Sequence, residues 1–216
     1  MHPLKNLALT YAHFLIKIAV KSCLNITVKG KENTPTVKSA IIVANHSSYI
    51  DVPVLGYALF SNLKNISWVI SKYNYRLWFL KWVYVVFKVL VVNGTTEKIK
   101  KELKDNRWVA IFPQGGKRWC PPSKSCLKKP GTGAAAVALT MNVPIIPVGL
   151  IGTNKVLPAR SFRLNPRRKI TVCIGQPFSF ETLPQEKINT FILKDATDEI
   201  MHRIRMAIEK YRRDSD

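Results

Sequence analysis

The sequence predicts an α/β fold: one domain on a mixed, mostly parallel sheet flanked by helices, led by an N-terminal amphipathic membrane-associating helix. Three observations point there. Short runs rich in β-branched residues alternate with longer segments of helical spacing, as strands joined by crossover helices do. Ala40-Ile41-Ile42-Val43-Ala44 is apolar at every position, as suits a strand covered on both faces. The 216 residues contain enough chain for one core and no Gly/Ser/Pro-rich linker to divide it. The expected boundaries are residues 1–23 for the membrane-associating segment and 24–216 for the α/β domain.

The elements follow in order. Residues 4–24 hold Leu4, Leu7, Leu9, Phe14, Leu15, Ile16, Ile18, Val20 and Leu24, broken by Lys5, Lys17 and Lys21. The lysines interrupt any signal-peptide core or spanning helix, and Lys17 and Lys21 share a helix edge from which they can snorkel. An interfacial helix fits best, with a plain helix packed on the core as the alternative. Leu24–Lys29 and Ala40–Ala44 read as strands, Tyr49–Phe60 as a helix, and Ile66–Ser71 as a strand. Tyr75–Val92 is aromatic in its first half and β-branched in its second, which suggests a short helix to about Trp82 and then a buried strand. Its clustered tryptophans and tyrosines suit a membrane interface or a core. Thr95–Lys104 is a charged helix, Trp108–Phe112 a strand, 114–130 a basic loop, Gly131–Met141 a helix and Val143–Leu150 a strand. Lys169–Gly175 is a further strand. A last helix over Gln185–Arg212 carries the stripe Ile188, Ile192, Ala196, Ile200, Ile204, Ile208 and Tyr211.

Charge sets the class of partner. Lys and Arg number 34 against 13 Asp and Glu, a net charge of +21, which calls for a nucleic acid or an anionic lipid surface. The basic residues are spread over nearly every segment, with no RNP-like aromatic motif, zinc-finger spacing or recognition helix. The expected partner is therefore an anionic phospholipid membrane surface and no nucleic acid. The four cysteines, Cys23, Cys120, Cys126 and Cys173, lack metal-ligand spacing. Reduced thiols are the default, although Cys120 and Cys126 could bridge across two prolines. The expected location is the cytoplasmic face of a membrane.

Two loops, each at the end of a predicted strand, carry chemistry. In Asn45-His46-Ser47-Ser48-Tyr49-Ile50-Asp51 an imidazole stands five residues ahead of a carboxylate. Such a carboxylate can fix the tautomer and stabilise the imidazolium, the kit for deprotonating a hydroxyl near neutral pH. The same residues also read as a capping box, Ser48 the N-cap and Asp51 in the first helical turn. In Phe112-Pro113-Gln114-Gly115-Gly116-Lys117-Arg118, two glycines permit close backbone approach to an oxyanion and the adjacent cations supply charge-assisted donors. Alone, this is also how a solvated basic turn looks. No G-x4-G-K-[ST] is present, so it is no nucleotide P-loop. Ligands in α/β sheets gather outside the carboxyl ends of strands, which argues that the two loops form one site.

Together the two blocks resemble the glycerophospholipid acyltransferases, represented by the 1-acyl-glycerol-3-phosphate (lysophosphatidic acid) acyltransferases. The family's Asn-His-x4-Asp falls on Asn45, His46 and Asp51, and its Phe-Pro-Glu-Gly-Thr-Arg on Phe112 to Lys117. Its Val-Pro-Ile-x-Pro-Val falls on Val143 to Val148, and the resemblance runs in order over about residues 24–178. It departs at Gln114 for glutamate, Gly116 for threonine and Lys117 for arginine; lysine keeps the charge but not the two-pronged geometry. The resemblance implies transfer of a fatty acyl group from acyl-CoA or acyl carrier protein to the free hydroxyl of a lysophospholipid, 1-acyl-glycerol-3-phosphate giving phosphatidic acid. His46 would be the general base, oriented by Asp51, with Gly115, Gly116, Lys117 and Arg118 holding the acceptor phosphate. No cofactor and no metal is expected beyond the thioester co-substrate. The competing readings are a catalytically idle membrane-surface protein on the same fold, raised by Gln114 and Gly116, and a basic nucleic-acid-binding protein.

Overall fold

A computed structural model describes residues 3–59, 65–71, 88–92, 96–115, 130–158 and 163–213. Its elements in chain order are α1 (Pro3–Cys23), β1 (Asn25–Lys29), β2 (Ile41–Ala44), α2 (Asp51–Ala58), β3 (Ile66–Ser71), β4 (Val89–Val92), α3 (Glu97–Lys104), β5 (Trp108–Ile111), α4 (Gly133–Ala138), β6 (Ile145–Ile151), α5 (Thr153–Val156), β7 (Lys169–Ile174) and α6 (Thr190–Arg213). Short 3-10 turns lie at Lys31–Asn33 and Gln185–Lys187.

Seven strands form one sheet in the order β1-β7-β6-β2-β5-β3-β4. Every neighbouring pair is parallel except β6 with β7, where Val148 faces Ile174 and Ile151 faces Thr171. β2 is central, with β5 on one side and β6 on the other. All four of its residues are buried, because alternate side chains enter cores on opposite faces: Ile42 and Ala44 on one, Ile41 and Val43 on the other. This is why that run is apolar at every position. The first core takes Val54, Leu55 and Leu59 around α2, and the second takes Ile99 and Leu103 of α3, Ala134–Leu139 around α4, and Ala196, Ile200 and Ile204 of α6. The sheet is thus covered on both faces, as the sequence predicts.

α6 bears out its stripe: Ala196, Ile200, Ile204 and Tyr211 are buried, and Ile188, Ile192 and Ile208 pack against the cores. Gly149 of β6 makes room for this helix, since a Cβ there would sit 2.3 Å from Ile208 Cγ1. Burying the large side chains of that stripe contributes on the order of 2 kcal/mol each.

Several expectations are corrected in extent. The helix expected over Tyr49–Phe60 runs Asp51–Ala58, because Ser48-Tyr49-Ile50 is spent on a turn, with Asp51 N–H on the Ser48 carbonyl. The helix expected over Gly131–Met141 spans Gly133–Ala138, and Gln185–Arg212 is broken into a 3-10 turn and α6. The strand expected to be buried after Trp82 exists as β4, but it is half-buried, as its place at the sheet edge requires. Residues 72–87, with the helix expected up to Trp82, lie outside the described residues. α5 was not expected: Gly152 in the left-handed region (φ +84°) turns the chain straight from β6 into four helical residues.

α1 shows two faces. Ile16 packs against the first core and Val20 is buried. Tyr11, Phe14, Leu15 and Ile18 are 62%, 49%, 46% and 46% exposed. At about 100° per residue these four make one stripe nearly opposite Ile16 and Val20. One face therefore packs on the core, as the alternative reading has it, and the other is apolar and uncovered by the described residues. No described helix is long and apolar enough to cross a membrane.

Candidate active site

The chain leaves β2 through α2 to β3, skipping the position that β5 later fills, and then returns to the other side of β2 as β6. Such a reversal opens a crevice at the carboxyl ends of the central strands. Three loops meet there: 45–50 after β2, 112–115 after β5, and 152–153 after β6.

The loop after β2 is fixed mainly by side chains bonding to backbone. Asn45 Nδ2 donates to Leu150 O at 2.8 Å, and Leu150 N–H donates to Asn45 Oδ1 at 2.7 Å. The amide side chain thereby extends the β2–β6 ladder by one rung after the backbone has turned away. Ser48 Oγ donates to Leu157 O at 2.8 Å, and the Ser47 and Thr153 hydroxyls share a 3.2 Å hydrogen bond. The strand end before α5 and the loop around it hold the histidine loop in register.

Asp51 is fully buried, and one oxygen does most of its work. Oδ2 accepts from Ser47 N–H at 2.7 Å and Ser48 N–H at 2.8 Å, and it lies 2.8 Å from His46 Nδ1. The two backbone contacts hold the turn that precedes α2, while the third orients the imidazole. Ser48 does not complete the box: its hydroxyl goes to Leu157 O, and no side chain caps α2. The capping box is thus corrected: Ile50 holds the N-cap position of α2, and Asp51 binds the turn ahead of it instead. Oδ1 is buried with no hydrogen-bond partner among the described residues. With Nδ1 on a carboxylate, Nδ1 carries the proton in the neutral ring and Nε2 is the basic nitrogen.

The His46 ring stacks on Phe112, centroids 4.5 Å apart at 27°, and its side chain is 17% exposed, enough for one edge to reach a substrate. Phe112 follows β5, so two neighbouring strands grip the imidazole. The second contact from the β5 side is Gln114, whose Oε1 accepts the His46 backbone N–H at 3.1 Å. Neither the stack nor this clamp was legible in the sequence.

Of the expected phosphate loop, Gly115 is placed and Gly116, Lys117 and Arg118 lie outside the described residues. Gly115 is exposed at φ +63°, and a Cβ there would meet nothing within 4 Å. Its N–H is committed to Phe112 O at 3.0 Å, so what it offers an anion is open backbone approach rather than its own donor. Gly131 N–H donates to Pro113 O at 2.7 Å, which returns the chain to the same place after residues 116–129. Among the described residues no group of three or more His, Cys, Asp or Glu converges to hold a metal ion.

A signal for Asp51 was available and unused. It is the one acidic residue between Glu32 and Glu97, so a carboxylate here stands out against a basic and apolar background.

Comparisons with known proteins agree on a family. The profile of the acyltransferase family, described as Acyltransferase, matches residues 25–151, more than half of the chain. The chain is 25% identical over 180 residues to a chloroplastic 1-acyl-sn-glycerol-3-phosphate acyltransferase of Arabidopsis thaliana, covering 77% of this chain and 48% of that protein. It is 26% identical over 143 residues to a 1-acyl-sn-glycerol-3-phosphate acyltransferase of Chlamydomonas reinhardtii, covering 62% and 41%. The chain spans about half the length of the curated relatives it matches. Its fold is that of the crystal structure of the 1-acyl-sn-glycerophosphate (LPA) acyltransferase from Thermotoga maritima, with a TM-score of 0.70 at 20% identity over 98% of this chain and 84% of that one. The matched span runs from β1 to the end of β6 and takes in both the His46 loop and the Gly115 loop, so the chain belongs to the acyltransferase family.

Proposed function

We propose that the protein is an O-acyltransferase that moves a fatty acyl group from an acyl thioester, of CoA or acyl carrier protein, to the free hydroxyl of a lysophospholipid. The acceptor is 1-acyl-glycerol-3-phosphate and the product phosphatidic acid. The observation that carries this reading is the 2.8 Å contact of His46 Nδ1 with buried Asp51 at the mouth of the crevice. That contact leaves Nε2 unprotonated and aimed away from the carboxylate. The names of the relatives supply the substrate class.

In this mechanism His46 Nε2 takes the proton of the acceptor hydroxyl as its oxygen attacks the thioester carbonyl. The C–S bond then breaks, and the imidazolium returns its proton to the leaving thiolate. Asp51 stabilises the imidazolium between the two events. Gly115, Gly116, Lys117 and Arg118 hold the acceptor phosphate and thereby position the hydroxyl; positioning of this kind lowers a barrier by several kcal/mol. No serine need form an acyl-enzyme, and no metal enters the sequence of steps.

The exposed stripe of α1 lies on an anionic bilayer in this reading, at the cytoplasmic face. Lys17 and Lys21 flank it and reach headgroups. Each basic side chain near such a surface contributes about 1 kcal/mol.

The test is product analysis by mass spectrometry. Purified protein is given 1-acyl-glycerol-3-phosphate and a long-chain acyl thioester, beside His46→Ala. Phosphatidic acid formed by the wild type and lost by at least about 100-fold in the variant is expected. Equal turnover by the two proteins, or tighter binding to nucleic acid than to anionic vesicles at matched salt, would sink the reading.

A further inference from the structure

We propose that the carboxamide of Gln114 donates a hydrogen bond, through Nε2–H, to a negatively charged substrate oxygen beside His46. Glutamate, the residue the family's motif carries at this position, cannot make that contact in its ionised form. The inference rests on the acyl-transfer reading and names a further residue for that reaction.

The orientation of the amide follows from its partner. A backbone N–H is a donor only, so the Gln114 atom 3.1 Å from His46 N must be the carbonyl oxygen. That pins the flip and leaves Nε2, with two N–H donors, at the opposite end. Among the described residues Nε2 has no hydrogen-bond partner. The side chain is half-buried rather than enclosed. It is anchored three residues beyond the end of β5, next but one to the ring that stacks on His46. An anchored amide with a vacant donor end is preorganised, so no reorganisation is required when charge develops.

Two anionic oxygens are ones such a donor can serve, the first created by the reaction and the second already present. As the acceptor oxygen bonds to the thioester carbon and its proton passes to His46 Nε2, the C=O π pair moves onto the carbonyl oxygen. When the C–S bond breaks, that pair returns to carbon, and the departing sulfur takes the proton from His46. The acceptor phosphate carries standing negative charge. A carboxylate at 114 would still accept the His46 N–H but would repel either oxygen. Glutamine keeps the clamp and adds the donor, so the departure from the family's motif changes one function of the side chain and not the other.

Gln114→Glu separates the two functions. The variant is expected to melt close to the wild type and to lose about 100- to 1,000-fold in kcat/KM, the range for one oxyanion donor. A loss in kcat with every acceptor assigns the thioester oxygen. A rise in KM confined to phosphorylated acceptors assigns the phosphate. A second readout holds even at low activity: the ratio of Gln114→Glu to wild-type turnover should climb as pH falls toward about 5, because a protonated carboxyl regains an O–H donor. All groups other than residue 114 are common to both proteins and largely cancel in that ratio. Activity of Gln114→Glu within threefold of wild type on all acceptors, or a ratio flat in pH, overturns the inference while leaving acyl transfer intact. A wild type that transfers no acyl group to any hydroxyl sinks the reading it rests on as well.

Discussion

Asp51→Asn separates the two roles this structure gives one oxygen. Asparagine has the same shape, so its carbonyl oxygen can take the place of Oδ2 and accept from Ser47 N–H, Ser48 N–H and His46 Nδ1–H. The turn into α2 keeps its backbone bonds. Three charge-assisted hydrogen bonds become neutral, each weaker by about 1 kcal/mol, but a fully buried charge is also removed, and the two changes oppose one another. Folding stability should therefore move by no more than about 1–2 kcal/mol.

Activity has no such compensation. In the proposed mechanism the imidazolium loses a buried counter-charge 2.8 Å from Nδ1. At the effective dielectric that suits protein sites, a pair at about 4 Å interacts by roughly 4 kcal/mol, so a loss of about 3–5 kcal/mol in transition-state stabilisation is expected. At 1.36 kcal/mol per tenfold this is about 10²- to 10⁴-fold in kcat. Asp51→Ala is the contrasting variant: it leaves the Ser47 and Ser48 N–H groups without an acceptor and should cost about 2–6 kcal/mol of stability. The assay is thiol release from an acyl thioester in the presence of acceptor, with thermal melts of each variant. Asp51→Asn retaining more than a third of wild-type kcat would refute the argument, and so would an Asp51→Ala protein as stable as Asp51→Asn.

Three further outcomes follow from other parts of the fold. Asn45→Ala removes both hydrogen bonds to Leu150 and should cost about 1–3 kcal/mol by denaturant titration, with kcat falling more than either KM as the His46 loop loosens. Glu102 receives the Ser67 hydroxyl, Lys88 and Arg107; burial alone would raise its pKa, but these three partners outweigh it and hold the carboxyl below its ordinary value. That stability is present above the unfolded-state pKa of about 4.3 and is lost as pH falls through the folded value, so Glu102→Gln should narrow the gap to wild type in acid and widen it at neutral pH. Burial pushes the Cys173 thiol up to about 11, with Lys29 opposing weakly. A thiol reagent at pH 8 should modify exposed Cys23 readily and Cys173 only on unfolding. Above pH 9 the unfolded thiol ionises first, so Cys173 should withdraw stability as pH rises toward 11.

How much was legible in the sequence depended on whether a signal was local. Ile66–Ser71 was placed to the residue, because a β-branched run bounded by polar residues needs no tertiary information. β4 was found but given too much burial, since nothing in Val89–Val92 says that it stands at the sheet edge. α5 was missed because four residues carry no periodicity; only Gly152 hints at the turn. At the site, His46 and Asp51 are five apart, and one turn of chain brings them together. Phe112 and Gln114 reach His46 from 66 and 68 residues away, and the pairing of β2 with β5 that brings them there is invisible to a reading of either loop alone.

The same separation explains why the histidine loop first admits two readings. A capping carboxylate and a catalytic one need the same placement, at the first turn of a helix that follows a strand and facing the backbone just passed. In the proposed mechanism the backbone bonds of Asp51 serve the base. Two backbone N–H groups fix Oδ2 so firmly that the imidazole, bonded to that atom and stacked on Phe112, has little freedom left. Removing one of these backbone bonds alone should therefore loosen the base even where the carboxylate remains. Replacing Ser47 by proline would delete one of the two N–H groups while keeping the acid and the base as residues; Ser47→Ala, which loses only the hydroxyl bond to Thr153, is the control. If preorganisation of Oδ2 matters, Ser47→Pro should lower kcat by roughly tenfold or more per 1.4 kcal/mol of lost restraint, with the acceptor KM nearly constant. A Ser47→Pro enzyme that folds and keeps full kcat would show that the His46–Asp51 contact suffices without its backbone support.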